Sequence, residues 1–223
     1  MKPYRIITFV GTSMFDNYQR KTKPEFTEFT TLQREVAPFK EWYRKEQSRT
    51  VITRKVTGKS GFWRPENLCA EVKSILKITH KLKQSPEVHL VTSDTILSVL
   101  AATLIQQWFR ERSYSVKIDF GLPDEKYYEL KQQRHSRHIV SQLNFKKGND
   151  YEQGLKNLQW LLQQEINYAK SQQQLLIFNI TAGYKAITPY VVLLAQIHQI
   201  PLMYMYHDEK HLTANDPLVE YHL

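Results

Sequence analysis

Two short segments place small residues and hydroxyls directly behind an apolar run. The first is Gly11-Thr12-Ser13, after Tyr4–Val10. The second is Asn179-Ile180-Thr181-Ala182-Gly183-Tyr184-Lys185, at the end of Leu175–Asn179. Glycine and other small residues let backbone N–H groups come close to a phosphate, and adjacent hydroxyls add donors. The second segment also opens a predicted helix, whose N-terminus favours anions. In open parallel sheets ligands bind beyond the carboxyl ends of the strands, and both segments belong at that edge. Residues 11–16 do not spell Gly-x-Gly-x-x-Gly, and Gly183-Tyr184-Lys185-Ala186 is not a Walker motif, so a dinucleotide enzyme or P-loop nucleotidase is disfavoured. Taken singly, Gly11 and Gly183 read equally well as residues that turn the chain, and the pattern alone leaves both roles open.

Other chemistry-bearing residues read more blandly. His135 and His138 have a metal-ligand spacing, but no third ligand is near in sequence, and with Arg134 and Arg137 they read as a solvated face or a lid. His207-Asp208-Glu209 reads as a surface turn. Asp16 stands alone near the first loop, and Asp94 suits a helix cap. Trp63, Tyr127 and Tyr128 could stack on bases, although packing is the ordinary role of such residues. Cys69, the one cysteine, lies in an apolar stretch and reads as a buried structural thiol. No metal site and no cofactor are expected.

These segments need a frame. Short apolar strands are predicted at Tyr4–Val10, Val51–Val56, Val88–Val91, Val116–Phe120, Leu175–Asn179 and Ile200–Tyr206, with an edge strand near His138–Leu143. Helices are predicted over 31–47 with a break at Pro38, from Pro65 to about Lys83, from Thr92-Ser93-Asp94 to about Arg112, over Tyr151–Lys170 and over Tyr184–Gln199, with a short one near Tyr127–Gln133. Residues 16–30 and the tail from His207 read as polar and irregular. Apolar strands alternating with helices imply βα units: a Rossmann-like α/β fold with a mostly parallel sheet of five or six strands and helices on both faces. With no repeat and no linker, residues 1–223 read as one domain.

Composition sets the outer limits. The 223 residues are 41% hydrophobic and 24% charged, within globular norms. The net charge of +9 invites an anionic partner, although it also serves as plain solubility charge. No apolar stretch is long enough for a membrane span, so no membrane partner is expected. A single cysteine points to a reducing, cytoplasmic setting.

The pairing of strand-Val-Gly-Thr-Ser with strand-Asn-Ile-Thr-Ala-Gly-Tyr-Lys-Ala resembles the CRISPR-associated Rossmann-fold (CARF) family. Supporting similarities are Ala70-Glu71 at a helix start, Thr92-Ser93-Asp94-Thr95 after a strand, Gly154-Leu155 with Leu158, and the closing strand Pro201–Tyr206. The resemblance implies a homodimer cradling one cyclic oligoadenylate, cyclic tetraadenylate being favoured over the hexamer. It implies Ser13 and Lys185 as ring-cleaving residues, and Gly11, Thr12, Thr92, Ser93, Asn179, Thr181, Ala182, Gly183 and Tyr184 as ligand contacts. No Arg-x4–6-His element or PD-(D/E)xK nuclease follows the last strand, a departure from family members fused to effectors. The expectation is therefore a stand-alone, metal-independent ring nuclease, in which the messenger's own 2′-OH attacks phosphorus and Lys185 holds the developing charge. The alternative expectation is a non-catalytic sensor domain that regulates an absent effector; a basic nucleic-acid binder is a distant third.

Overall fold

A computed structural model describes residues 2–22, 32, 39–45, 69–112, 114–122, 136–143, 148–183, 185–206 and 217–222. Strands are β1 (Tyr4–Val10), β2 (Glu87–Ser93), β3 (Lys117–Asp119), β4 (Ile139–Val140), β5 (Leu175–Asn179), β6 (Leu202–Met205) and β7 (Leu218–Tyr221). Helices are α1 (Ser13–Thr22), α2 (Phe39–Arg44), α3 (Ala70–Leu82), α4 (Ile96–Glu111), α5 (Gly148–Ser171) and α6 (Thr188–His198), with a 3-10 turn at Lys185–Ile187.

The strands form one sheet in the order β3-β2-β1-β5-β6-β7, and β4 pairs with β2 beyond the end of β3. All pairings are parallel except β6 with β7. The fold is therefore α/β, as the alternation of elements predicts. β1 is central, flanked by β2 in the register Val10↔Thr92 and by β5 in the register Thr8↔Asn179.

Strand side chains alternate between the two faces of a sheet. Ile6 and Val10 join Met14 and Phe15 of α1, Val72, Ile75 and Ile78 of α3, and the buried face of α4. Ile7 and Phe9 join Leu158, Leu162 and Ile166 of α5 and Val191 and Ala195 of α6 on the other face. Each fully buried aliphatic or aromatic side chain contributes about 1.5–3 kcal/mol relative to exposure. The central strand thus anchors two cores at once.

Four expectations need correcting. The irregular stretch from residue 16 is in part helix α1: Thr12 carbonyl accepts the Phe15 and Asp16 amides (3.0 and 3.4 Å), and Met14 and Phe15 anchor the first turn in the core. The polar tail holds β7, which returns antiparallel along β6. The helix expected from Tyr184 begins as a 3-10 turn at Lys185, and α6 starts only at Thr188. Pro189 falls in its first turn, where a missing N–H costs nothing. The cap of α4 is Thr95 rather than Asp94, whose Oδ2 accepts the Gln142 amide at 3.0 Å. The strand at Val51–Val56, the helix near Tyr127–Gln133 and the start of the Pro65 helix lie outside the described residues, as do most of 31–38.

Candidate functional site

From β1 the chain moves first to β2 and β3, then crosses back to β5 on the other side of β1. The loops leaving β1 and β5 consequently diverge. The first leads to α1 on one face, and the second leads to α6 on the other. A crevice opens between such loops at the carboxyl edge of the sheet.

Gly11-Thr12-Ser13 and Ile180–Gly183 leave this edge side by side, and their backbones touch at Gly11 and Gly183. A Cβ on Gly11 would stand 3.2 Å from Gly183 Cα and 3.3 Å from its carbonyl carbon and nitrogen. Gly183 has φ +91°, a region that L side chains rarely adopt, and a Cβ there would lie 2.6 Å from Phe9 Cβ. Close approach and positive φ thus require glycine at Gly183, while Gly11 sits in a tight contact.

Ser13 is the first residue of α1, and its Oγ is buried with no hydrogen-bond partner among the described residues. It sits where the first-turn N–H groups of a helix lack intrahelical acceptors. Lys185 is exposed on the 3-10 turn that follows the second loop. The two residues named by the resemblance therefore lie at the same edge of the sheet, beyond the ends of the adjacent strands β1 and β5. Thr12 and Ala182 are half-buried beside them, and Tyr184 lies outside the described residues.

The remaining expected contacts are engaged elsewhere. Asn179 is fully buried: its Nδ2 donates to Ser74 Oγ (2.8 Å) and Thr8 Oγ1 (3.3 Å), and its Oδ1 accepts the Thr181 amide (3.2 Å). Thr181 Oγ1 accepts the Met205 amide at 2.9 Å. Both side chains hold the loop from beneath. The Gly11 amide, expected to meet phosphate, donates to Glu71 Oε1 at 2.9 Å. Thr92 is buried, with its amide and hydroxyl directed to His138 carbonyl (2.8 and 3.4 Å). Ser93 Oγ lies in a ring of hydroxyls with Thr95 and Ser98 (2.9–3.1 Å).

Cys69 is buried and its thiol donates to Glu71 Oε2 at 3.1 Å. Burial and the neighbouring Glu71 carboxylate push its pKa well above the ordinary thiol value, which rules against a thiolate nucleophile.

A second polar cluster went unnoticed in the sequence. Arg5, fully buried on β1, donates from Nε to Glu165 Oε2 of α5 (2.8 Å) and from Nη2 to Asp119 Oδ2 of β3 (3.0 Å); Nη1 pairs with Glu87 (2.9 Å). His89 Nδ1 lies 3.0 Å from both Asp119 Oδ2 and Arg5 Nη2, and its Nε2 faces Arg137 carbonyl at 2.6 Å. His138 stacks on His89 with ring centroids 4.3 Å apart, and its Nε2 lies 3.6 Å from Asp119 Oδ1. His138 is thus buried within a network, which corrects the solvated-face reading. Burial and the neighbouring His89 push its pKa down to about 4 against the pull of Asp119. Burial opposes charge on Asp119 as well, but the hydrogen bond and charge of His89, with His138 and Arg5, hold its carboxyl far below the ordinary range.

His89, Asp119 and His138 bring three metal-type ligand atoms within 4.8 Å of one another. Arg5 Nη2 lies 3.0 Å from both His89 Nδ1 and Asp119 Oδ2, so a dication there would be pressed against a guanidinium fixed by Glu165 and Glu87. The donor set fits a closed ion-pair network rather than a metal ion. The signal in the sequence was Arg5 itself, a charge at an inward position of an apolar strand.

A mostly parallel sheet with helices on both faces and two Gly-containing loops meeting at its carboxyl edge defines a Rossmann-like α/β protein. Residues 66–214 match the family described as CRISPR-associated protein (Cas_APE2256). The chain belongs to this family, whose domain is of CARF type, and its role lies in CRISPR systems. The match includes the Asn179–Lys185 loop and begins after Gly11–Ser13. No curated protein matches the chain. Among the described residues no helix is long and apolar enough to cross a membrane.

Proposed function

We propose that the chain binds a cyclic oligoadenylate, cyclic tetraadenylate ahead of the hexamer, as a cytoplasmic homodimer acting as a single domain, and cleaves the ring. The observation that carries the reading is the backbone contact of Gly11 with Gly183, which sets the loops leading to Ser13 and Lys185 side by side at one edge of the sheet. A buried, unpartnered hydroxyl and an exposed ammonium at a helix start suit a phosphodiester.

In the proposed step the ribose 2′-oxygen attacks the adjacent phosphorus while the P–O5′ bond breaks. The proton leaving the 2′-oxygen ends on the 5′-oxygen, giving a 2′,3′-cyclic phosphate and a 5′-hydroxyl. Lys185 stabilises the charge on the phosphoryl oxygens, and Ser13 orients the phosphate or the hydroxyl. No protein nucleophile is required.

The dimer is supported by α6, which directly follows the Lys185 turn. This helix is apolar nearly all round, with Leu193 54% and Ile197 66% exposed, a pattern that belongs to a covered helix. A two-fold axis beside α6 would set two crevices against one two-fold ring. Incubation with cyclic tetra- and hexaadenylate, followed by chromatography, tests the reading. Linear products support it. Binding without products leaves the sensor reading, and absence of binding overturns both.

A further inference from the structure

We infer that the first turn of α3 is the staple that fixes the two crevice loops in one relation, with Glu71 and Ser74 as positioning residues; this rests on the reading of the crevice as the oligoadenylate site.

Proximity of Gly11 and Gly183 does not by itself fix where Ser13 points. Glu71 does, because it holds the residue two positions before Ser13. Only 1% exposed, Glu71 has both carboxylate oxygens engaged, Oε1 by the Gly11 amide (2.9 Å) and Oε2 by the Cys69 thiol (3.1 Å). A buried carboxylate is a poor contact for a polyanionic ligand, and a charge-assisted bond to a backbone amide is a strong way to hold a loop.

The same turn reaches the second loop. Ser74 Oγ donates to Glu71 carbonyl (3.0 Å) and accepts from Asn179 Nδ2 (2.8 Å), while Asn179 Oδ1 accepts the Thr181 amide (3.2 Å). The start of α3 thus holds both loops: the Glu71 carboxylate takes the Gly11 amide, and Ser74, bonded to the Glu71 backbone carbonyl, holds Asn179 and through it the Thr181 amide. Glu71, Ser74, Asn179 and Thr181 are all buried. Fully satisfied buried networks of this kind specify one geometry, and misplacing a reacting group by about 1 Å costs about 100-fold in rate.

The test uses the full chain carrying Glu71→Ala, Glu71→Gln, Ser74→Ala, and Glu71→Ala with Ser74→Ala. With cyclic tetraadenylate, Glu71→Ala should lower kcat by about 10- to 100-fold with KM and bound stoichiometry nearly unchanged. Glu71→Gln, which keeps an acceptor for the Gly11 amide, should restore most of it. The double variant should be worse than either single one, because Glu71 holds the first loop and Ser74 the second. Ser74→Ala carries the test if Glu71→Ala does not fold. A second readout needs no ligand: amide exchange of Gly11 should quicken by about tenfold or more in the Glu71 alanine variant, and that of Thr181 in the Ser74 variant. If the wild type neither binds nor cleaves the ring, the function reading fails, and faster exchange at these amides still supports the staple. Unchanged amide exchange, or kcat within twofold of wild type alongside a cleaving wild type, overturns it.

Discussion

Gly11 and Gly183 are separated by most of the chain, yet a methyl group on Gly11 would come within 3.2 Å of Gly183 Cα. The contact exists because β1 and β5 are neighbours in the sheet and both end at this edge. It makes the two loops a single unit.

Gly183→Ala should therefore be more damaging than Gly11→Ala. At Gly183 the positive φ and the 2.6 Å approach to Phe9 Cβ act together, for a loss of about 2–4 kcal/mol. At Gly11 the neighbouring backbone needs to give by only a few tenths of an ångström. Urea denaturation of the two variants measures the difference. Equal stabilities would contradict the packing described.

Lys185→Ala should slow ring cleavage by about 100- to 1000-fold while weakening binding much less, because its charge is needed most in the transition state. Ser13→Ala should slow cleavage by a smaller factor. Single-turnover kinetics with separate binding measurements resolve the two effects. A Lys185→Ala protein that cleaves at the wild-type rate would place the chemistry elsewhere.

The products carry the signature of the attacking group. Linear oligoadenylates with a 5′-hydroxyl and a 2′,3′-cyclic phosphate are expected, formed undiminished in excess EDTA, and cyclic tetraadenylate should give mainly dinucleotides. Mass spectrometry distinguishes these from 5′-phosphate products, which would indicate attack by water.

His138 should make the protein acid-labile from an unusually high pH. Its pKa is about 4 when folded and about 6.5 when unfolded, so the unfolded chain takes the proton first. Stability is then unaffected above about pH 7 and falls as pH drops from 6.5 towards 4, by about 2 kcal/mol at pH 5. Asp119, with its depressed pKa, adds a further loss only below the ordinary carboxylate range. Denaturation of wild type and His138→Asn at pH 7.5 and 5.0 checks this: the variant should lose most of the slope between those values.

Ile197→Asp should convert a dimer into a monomer at micromolar concentration, since it puts a charge on the exposed apolar face of α6. Sedimentation velocity reads the outcome. A wild-type monomer, with or without ligand, would remove the two-fold arrangement.

The strand–loop edges were legible because Tyr4–Val10 and Leu175–Asn179 are apolar runs cut off by small residues, and parallel strands buried on both faces look like that. Helix α1 was not, since only Met14 and Phe15 anchor a first turn followed by polar residues. The hydrogen bonds of Asn179, Thr181 and the Gly11 amide were hidden for another reason. Residue type shows what a group can donate or accept, but Ser74, Met205 and Glu71, which take up those bonds, are distant in sequence. The Arg5 network was hidden in the same way: His89, Asp119 and His138 become neighbours only when β2, β3 and β4 pair.

The central position of β1 has a consequence for synthesis. Its apolar run is made before both of its partners, since β2 begins only at Glu87 and β5 only at Leu175. At about 5–20 residues per second, β1 waits on the order of ten seconds or more for its second neighbour. Throughout that interval an apolar strand has unfilled backbone bonds on at least one side, and Arg5 lacks Glu165. The nascent chain thus keeps one open edge on its central strand until β5 is inserted.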